Sequence, residues 1–138
     1  MASRIVAQGL ENSGKLIAGI AGTTFVQAMS WDSSTGAAGA LTSGATALNS
    51  AGAVGTFAVS LTTRSTQANQ TIRWEGTLST AEMNGSTIGR MILHHAVTTA
   101  PVTSASNTIY GGIDQQSILK TSEYVLNSLL DVQYLTTQ

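Results

Sequence analysis

Charged residues are scarce in this chain. Lys, Arg, Asp and Glu make up 9% of the 138 residues, whereas a typical soluble domain contains roughly 25%. The hydrophobic fraction of 42% is normal for a folded protein, and a disordered chain would instead combine low hydrophobicity with high charge. Two explanations stay open: partner proteins cover much of the surface, or uncharged Ser, Thr, Asn and Gln coat it. We favour coverage by partners, because monomers rarely lack surface charge.

Other absences exclude further classes of protein. The six basic residues are scattered and offset by seven acidic ones, so the clustered cations of a nucleic-acid-binding surface are missing. Cysteine is absent, which excludes disulfides and thiolate chemistry. No apolar run approaches the roughly 18 residues of a membrane span, and Glu11 and Asn12 interrupt the stretch that a signal peptide would need. We therefore expect neither nucleic acid nor membrane as a partner.

The chain is long enough for one domain, residues 1–138, and too short for two ordinary ones. Residues 1–22 predict a helical segment, with Ser3 as its cap. Gly9 and Gly14 leave open whether it is one helix or two short ones, and Gly19 and Gly22 end it. The apolar residues that follow helical spacing are Ile5, Val6, Leu10, Leu16, Ile17 and Ile20.

Most of the remaining chain predicts strands, because apolar and polar residues alternate with a period of two. The segment 87–96 is apolar on both faces and should be central. We expect a turn at 65–69, and a short helical turn capped by Thr80 and ended by Asn84-Gly85. The sum predicts a mainly β domain, an antiparallel β-sandwich or a jelly-roll-like fold. The predicted strands are 24–31, 57–62, 71–78, 87–96, 109–110 and 123–136.

Residues 32–55 form a low-complexity segment of Gly, Ala, Ser and Thr. Loops longer than about 12–15 residues are uncommon in compact domains and are usually functional or flexible. An arm that lies on a neighbouring subunit and a mobile surface loop are equally good interpretations. Trp74 lies within a regular strand and predicts a core residue, whereas Trp31 opens the loop and suits either the core or an interface. The candidate assembly interface is Trp31, Leu41, Leu48 and Val54.

Histidine chemistry is disfavoured by geometry. His94 and His95 are the only histidines, and neighbouring residues of a strand point to opposite faces. They cannot readily share a metal ion, which would need three or four ligands. We therefore expect no metal site.

Hydrolytic chemistry is disfavoured as well. No Gly-x-Ser-x-Gly motif is present, and Asp32, Asp114 and Asp131 all have turn or surface interpretations. Paired carboxylates of the glycosidase kind would have to come from Glu75 and Glu82, and pairing of Glu75 with Arg73 is simpler. We predict that the chain is not an enzyme, has no catalytic residues and holds no cofactor.

Three segments carry a resemblance to a protein family. They are 71–76 (Thr-Ile-Arg-Trp-Glu-Gly), 78–88 (Leu-Ser-Thr-Ala-Glu-Met-Asn-Gly-Ser-Thr-Ile) and 118–126 (Ile-Leu-Lys-Thr-Ser-Glu-Tyr-Val-Leu). Their order resembles small virion structural proteins of tailed bacteriophages. In these proteins an Asn-Gly, Thr-Ile stretch precedes a central strand, and a Lys-Thr-Ser-acidic turn leads into the final one.

The resemblance implies a role in the virion, in a protein made in the cytoplasm of the bacterial host. A capsid decoration or cement protein that bridges major capsid subunits fits a compact module without a fibre shaft. Such proteins are implied to form homotrimers, with dimers as the other option. A connector of the neck, baseplate or tail-fibre base is the alternative function, and a stand-alone carbohydrate-binding β domain is the second alternative.

Overall fold

The computed structural model of the chain describes residues 3–21, 26–32, 57–60, 63–68, 71–95 and 109–133. Within these residues lie one helix and eight strands. The prediction of a mainly β fold with a short N-terminal helix is confirmed. The elements are β1 (Ser3–Ile5), α1 (Ala7–Ile17), β2 (Ala28–Asp32), β3 (Phe57–Ser60), β4 (Thr63–Gln67), β5 (Thr71–Leu78), β6 (Thr87–His94), β7 (Ile109–Leu119) and β8 (Leu126–Gln133).

The strands form two antiparallel sheets. The large sheet has the order β1-β7-β6-β2-β3, and the small sheet has the order β4-β5-β8. Strand β6 is central, as its two-sided apolar pattern predicted: it pairs with β7 and β2, and every residue after Thr87 is buried. The chain crosses from the large to the small sheet between β3 and β4, returns between β5 and β6, and crosses to the small sheet again between β7 and β8.

The core lies between the facing sides of the two sheets. Met29 and Leu93 are paired across β2 and β6 of the large sheet, and Trp74 and Leu130 are paired across β5 and β8 of the small one. These four side chains belong to one buried cluster, and burial of each contributes about 1.5–3 kcal/mol. Alternate residues of β5 and β8 face this cluster, as their period of two predicted.

The start of the chain differs from its prediction. Residues Ser3–Ile5 are extended, because they pair with Gly111–Ile113 of β7. The helix begins after Val6, which has an extended backbone and no side-chain cap, so the prediction of Ser3 as the cap is wrong. The helix runs without a break through Gly14 to Ile17, and Gly19, with φ +67°, follows its end as predicted.

A glycine lets the helix approach β7 closely. Gly9 is buried, and a Cβ atom at this position would overlap the carbonyl oxygen of Tyr110. The Val6 N–H donates to the same oxygen at 3.0 Å, and Gln8 Nε2 donates to the carbonyl of Ile109 at 2.8 Å. The helix is therefore held by backbone proximity and hydrogen bonds rather than by a broad apolar face.

Three further predictions of local structure are wrong. The expected turn at 65–69 is instead largely strand β4, which pairs with β5 throughout, because an edge strand needs few apolar side chains. Strand β7 does not stop at residue 110 but continues to Leu119. The turn after β5 is organised by Ser79, not Thr80. Its N–H donates to Glu82 Oε2 at 2.7 Å and its Oγ accepts from the N–H of Ala81 at 3.3 Å.

Candidate assembly surface

Of the four sequence-based interface residues, the structure describes Trp31. Trp31 is fully buried, and its Nε1 donates to Ser128 Oγ at 2.9 Å. Its ring occupies space left by Gly76, whose added Cβ would come within 3.0 Å of Trp31 Cη2. Of the two interpretations of Trp31, the structure places the side chain in the core. Leu41, Leu48 and Val54 lie outside the described residues, as does the predicted arm or loop at 32–55 apart from Asp32.

The two histidines have different surroundings. His94 is fully buried, and its Nε2 lies 2.6 Å from Ser30 Oγ, so the two groups share a hydrogen bond. Burial, helped by the nearby imidazole of His95, lowers the pKa of His94 to about 4. His95 is half-buried, and burial lowers its pKa as well. Within the described ranges, no three His, Cys, Asp or Glu side chains lie together as a metal site would need.

Ser30 and His94 provide the hydroxyl group and the imidazole of a nucleophile and its base, but a substrate cannot reach either side chain. A serine nucleophile must contact substrate, whereas Ser30 and His94 both have no exposed surface. The pair lies within the large sheet, where Ser30 is opposite Ile92 and His94 is opposite Ala28. We interpret it as a buried polar contact that satisfies both side chains.

Two aspartates considered as catalytic candidates are bound in ion pairs. Asp114 accepts from Nε of Arg90 at 2.6 Å, and Arg90 is almost fully buried. Asp131 accepts two hydrogen bonds from Arg73, at 2.7 and 2.8 Å. These bonds hold the pKa of Asp131 below its ordinary value. The main partner of Arg73 is thus Asp131, which lies directly opposite it on β8, and not Glu75 as expected.

Two of the segments that carry the family resemblance meet in space. The Lys120 N–H donates to the carbonyl of Ser86 at 2.9 Å, and the Gly85 N–H donates to the carbonyl of Lys120 at 2.8 Å. Lys120 is fully buried. Its Nζ donates to Asn84 Oδ1 at 3.2 Å and to the carbonyl of Thr121 at 2.7 Å. The Asn-Gly turn and the Lys-Thr-Ser turn are therefore halves of one structural unit, which we call the paired turns.

Large apolar side chains are exposed in two places. The first is helix α1 with the residues after it, where Ile17 is 90% exposed. The second is the end of β7, the following turn and the start of β8. The sequence pattern does not distinguish the residues on α1 from core residues, because they follow helical spacing, whereas Leu129 lies on the face of β8 opposite to the buried one. The exposed large apolar residues are Leu10, Leu16, Ile17 and Ile20 in the first place, and Ile118, Leu119, Val125 and Leu129 in the second.

The outer face of the small sheet is mostly polar and uncharged, and its charged residues on β5 and β8 are Arg73, Glu75 and Asp131. Thr77 Oγ1 donates to Asn127 Oδ1 at 3.0 Å. The Arg73–Asp131 ion pair lies four residues further along both strands on the same face. Leu129 lies between Asn127 and Asp131 on this face and is 54% exposed. Both explanations of the charge deficit therefore apply within the described residues: uncharged polar groups coat one face, and apolar groups are exposed at two places.

A cavity of about 280 Å³ opens between the sheets, at the end of β8. Ligand pockets usually measure about 300–1,000 Å³. Its charged lining residues are Arg4 and Asp131, and its aromatic one is Tyr110. Tyr110 is almost fully buried, so it offers little ring surface to a sugar.

Comparison with protein-family models, with curated proteins and with solved structures finds no match for this chain. In the described part of the chain, no helix combines the length and the apolarity that crossing a membrane requires.

Proposed function

We propose that the chain is a structural protein of a tailed-bacteriophage virion, most simply a decoration protein that stabilises the head by bridging major capsid subunits. The observation on which this rests is the eight large apolar side chains exposed in the described residues, in a chain with only 9% charged residues. Exposed apolar surface of this kind is typical of interaction sites. A partner that contacts such surface removes it from water.

The proposed mechanism needs binding but no chemistry. A protein that bridges neighbouring subunits binds the assembled shell and not the free subunits, so it stabilises the shell by mass action. Many weak sites on one particle add up. The two exposed apolar surfaces, on α1 and around the start of β8, would allow one chain to contact more than one neighbour.

The paired turns support the family resemblance on which the virion role depends. Asn84-Gly85 and Lys120 are distant in the sequence, yet they bond to each other and join two of the connections between the sheets, β5–β6 and β7–β8. Motifs that share one structural task are expected to occur together in proteins of one fold. In this interpretation the two motifs are features of a shared fold, and they contribute no catalytic group.

Two alternatives differ in what they require. A connector of the neck, baseplate or tail-fibre base would use the same surfaces at a different copy number. A carbohydrate-binding β domain would need a cleft with exposed aromatic rings and converging polar groups. The 280 Å³ cavity offers the buried Tyr110, and its Asp131 is already bound to Arg73. This favours the virion role over carbohydrate binding.

Copy number in purified particles tests the proposal. Quantitative mass spectrometry of virions from a host that encodes the chain should find on the order of a hundred copies or more per particle for a decoration protein. Small symmetric numbers such as about 3, 6 or 12 would instead support the connector. Absence of the chain from particles would refute both. A companion measurement is binding of purified chain to shells that lack it, which should saturate and should raise the temperature at which the shells open.

A deletion tests the arm hypothesis for residues 32–55. A variant that lacks 33–55, with a short Gly-Ser linker in their place, should keep the two-sheet fold and lose binding to particles. Tryptophan fluorescence reports the fold, because Trp31 and Trp74 are both buried in the core. Unchanged particle binding by a folded variant would contradict the arm.

A further inference from the structure

We propose that β8 pairs with β8 of a second copy of the chain, antiparallel and about a two-fold axis at Leu129. The small sheets of the two copies would then join into one six-stranded sheet. This inference goes beyond the proposed function, and of the two oligomers that the family resemblance implies, trimer and dimer, it requires the dimer. It does not depend on the virion role.

Strand β8 is the least protected edge of the sandwich. The edge strands β1, β3 and β4 have three, four and five residues, whereas β8 has eight. It pairs with β5 along its whole length without a register shift, and within the described residues no strand pairs with its other side. Native edges are usually short, bulged, rich in charge or interrupted by proline. Strand β8 has no proline and one charged residue, Asp131.

Apolar side chains mark the same edge. Leu129 projects from the outer face of β8 and is 54% exposed. Val125 precedes β8 on the same face, and Ile118 and Leu119 end β7 just before the turn that leads into β8. The Tyr124 hydroxyl donates to the carbonyl of Leu119, which folds this turn back on the end of β7. The open edge and an exposed apolar surface therefore coincide.

The residue order of β8 suits a second copy of itself. An antiparallel pair about an axis at Leu129 places Leu129 opposite Leu129 of the second copy, and Asp131 opposite Asn127 of the second copy. Directly opposed side chains in such pairs interact, and like charges are destabilising. Because Asn127 Oδ1 accepts from Thr77, its amide NH₂ group is left to donate to a carboxylate across the axis. The single exposed apolar residue of the strand is thereby buried against its twin.

Other two-fold registers are poorer. An axis at Asp131 would oppose two carboxylates directly. An axis at Asn127 would place Asp131 opposite Glu123 of the second copy. Axes at Ser128 or Leu130 would place Asp131 opposite an apolar side chain, Val125 or Leu129. Among these axes, only the axis at Leu129 gives both an exposed apolar pair and a carboxylate–amide pair.

A cysteine cross-link tests both the surface and the register, because the natural chain has no cysteine. In the variant Leu129→Cys, the two new side chains would lie opposite each other, with Cβ atoms about 4.5–5.5 Å apart, close to disulfide geometry. We expect a covalent dimer under mild oxidation on a non-reducing gel. The matched control is Val125→Cys, an exposed apolar residue on the same face that makes no proposed contact with its twin. Its twin would lie eight residues away along the strand pair, roughly 26 Å, and no cross-link should form.

Sedimentation velocity of the full chain supplies the second measurement. The unmodified chain should form dimers, and Leu129→Lys should weaken the dimer at least about tenfold, because it opposes two ammonium groups across the axis. The control Ile17→Lys makes the same chemical change on α1, where the side chain is 90% exposed, and should leave the dimer constant unchanged.

A chain that is monomeric at the highest concentration reached would overturn the inference. So would an oligomer that resists Leu129→Lys and gives no cross-link through Leu129→Cys. If Leu129→Lys fails to fold, the cross-link still decides. All of these measurements use purified chain without particles. A cross-linked dimer that binds no particle would therefore refute the virion role alone, and a monomer that binds particles would refute the β8 pairing alone.

Discussion

Acidification should destabilise this protein, and His94 should account for most of the effect between pH 7 and pH 5. The side chain is fully buried beside Ser30, and burial lowers its pKa from the ordinary 6.5 to about 4. The folded state therefore keeps the imidazole neutral at pH values where the unfolded chain takes up a proton. The stabilisation due to His94 is complete above about pH 6.5 and is lost as the pH falls from 6.5 towards 4.

The size of this effect follows from the difference between the two pKa values. Each pH unit between them costs about 1.4 kcal/mol for one proton. Between pH 7 and pH 5, His94 alone should lower the free energy of unfolding by about 2 kcal/mol, and by about 3 kcal/mol at pH 4. Typical domains have about 5–15 kcal/mol in total, so the change is large enough to measure.

Urea unfolding at a fixed chain concentration, followed by tryptophan fluorescence, would measure it at pH 7, 6 and 5. The variant His94→Asn removes the titrating group, and its free energy of unfolding should be nearly independent of pH over this range. The control His95→Asn should keep most of the pH dependence, because His95 is only half-buried.

Equal losses in the unmodified chain and in His94→Asn between pH 7 and pH 5 would refute this reasoning. If His94→Asn does not fold, a proton NMR titration of the unmodified chain decides instead. A His94 resonance whose midpoint lies above pH 6 would contradict burial as the controlling influence.

The remaining predictions concern single contacts and are all measured by urea unfolding at pH 7. Gly9→Ala should cost about 1–3 kcal/mol, because the new methyl group overlaps a carbonyl of the facing strand. Gly14→Ala, where a Cβ meets no atom within 4 Å, should instead gain up to about 1 kcal/mol, and equal effects would contradict the close approach. Ser128→Ala should cost about 1–3 kcal/mol by leaving Trp31 Nε1 buried without its acceptor. Lys120→Met keeps the length of the side chain but removes both of its hydrogen bonds, and should cost about 2 kcal/mol; an unchanged midpoint would show that the backbone bonds alone hold the paired turns.

The sequence predicted those parts of the fold in which the local residue pattern reflects which faces of the strand are buried. Strand β5 alternates because one face is wet, and β6 is apolar throughout because it is central. Strand β4 could not be recognised, because the five residues Thr63–Gln67 contain no large apolar side chain and become a strand only by pairing with β5. Residues Ser3–Ile5 are extended only because β7, more than 100 residues later, pairs with them.

Exposure was harder to predict than secondary structure. The spacing of apolar residues shows that they share one face of a helix or strand, but it does not show whether that face is buried or exposed. On α1, Leu10 and Ile17 follow helical spacing, as a buried stripe would. The helix instead turns Gly9 towards β7, because only a residue without a side chain fits there, and this leaves Ile17 exposed. The burial of Trp31 could not be predicted from its own segment for a related reason: the space for its ring is provided by Gly76 on the other sheet.

The paired turns give the two ends of the sandwich different mechanical properties. Two of the passages of the chain between the sheets, β5 to β6 and β7 to β8, meet at this end, where the Gly85 N–H donates to the Lys120 carbonyl and the Lys120 N–H donates to the Ser86 carbonyl. The cavity lies at the opposite end, beside the last residues of β8. Separating the two connections would break these backbone bonds and expose the buried Lys120 ammonium group, whereas separating the sheets at the cavity end would mainly widen a space that already exists. We therefore expect the paired turns to resist local opening more than the cavity end of the sandwich does.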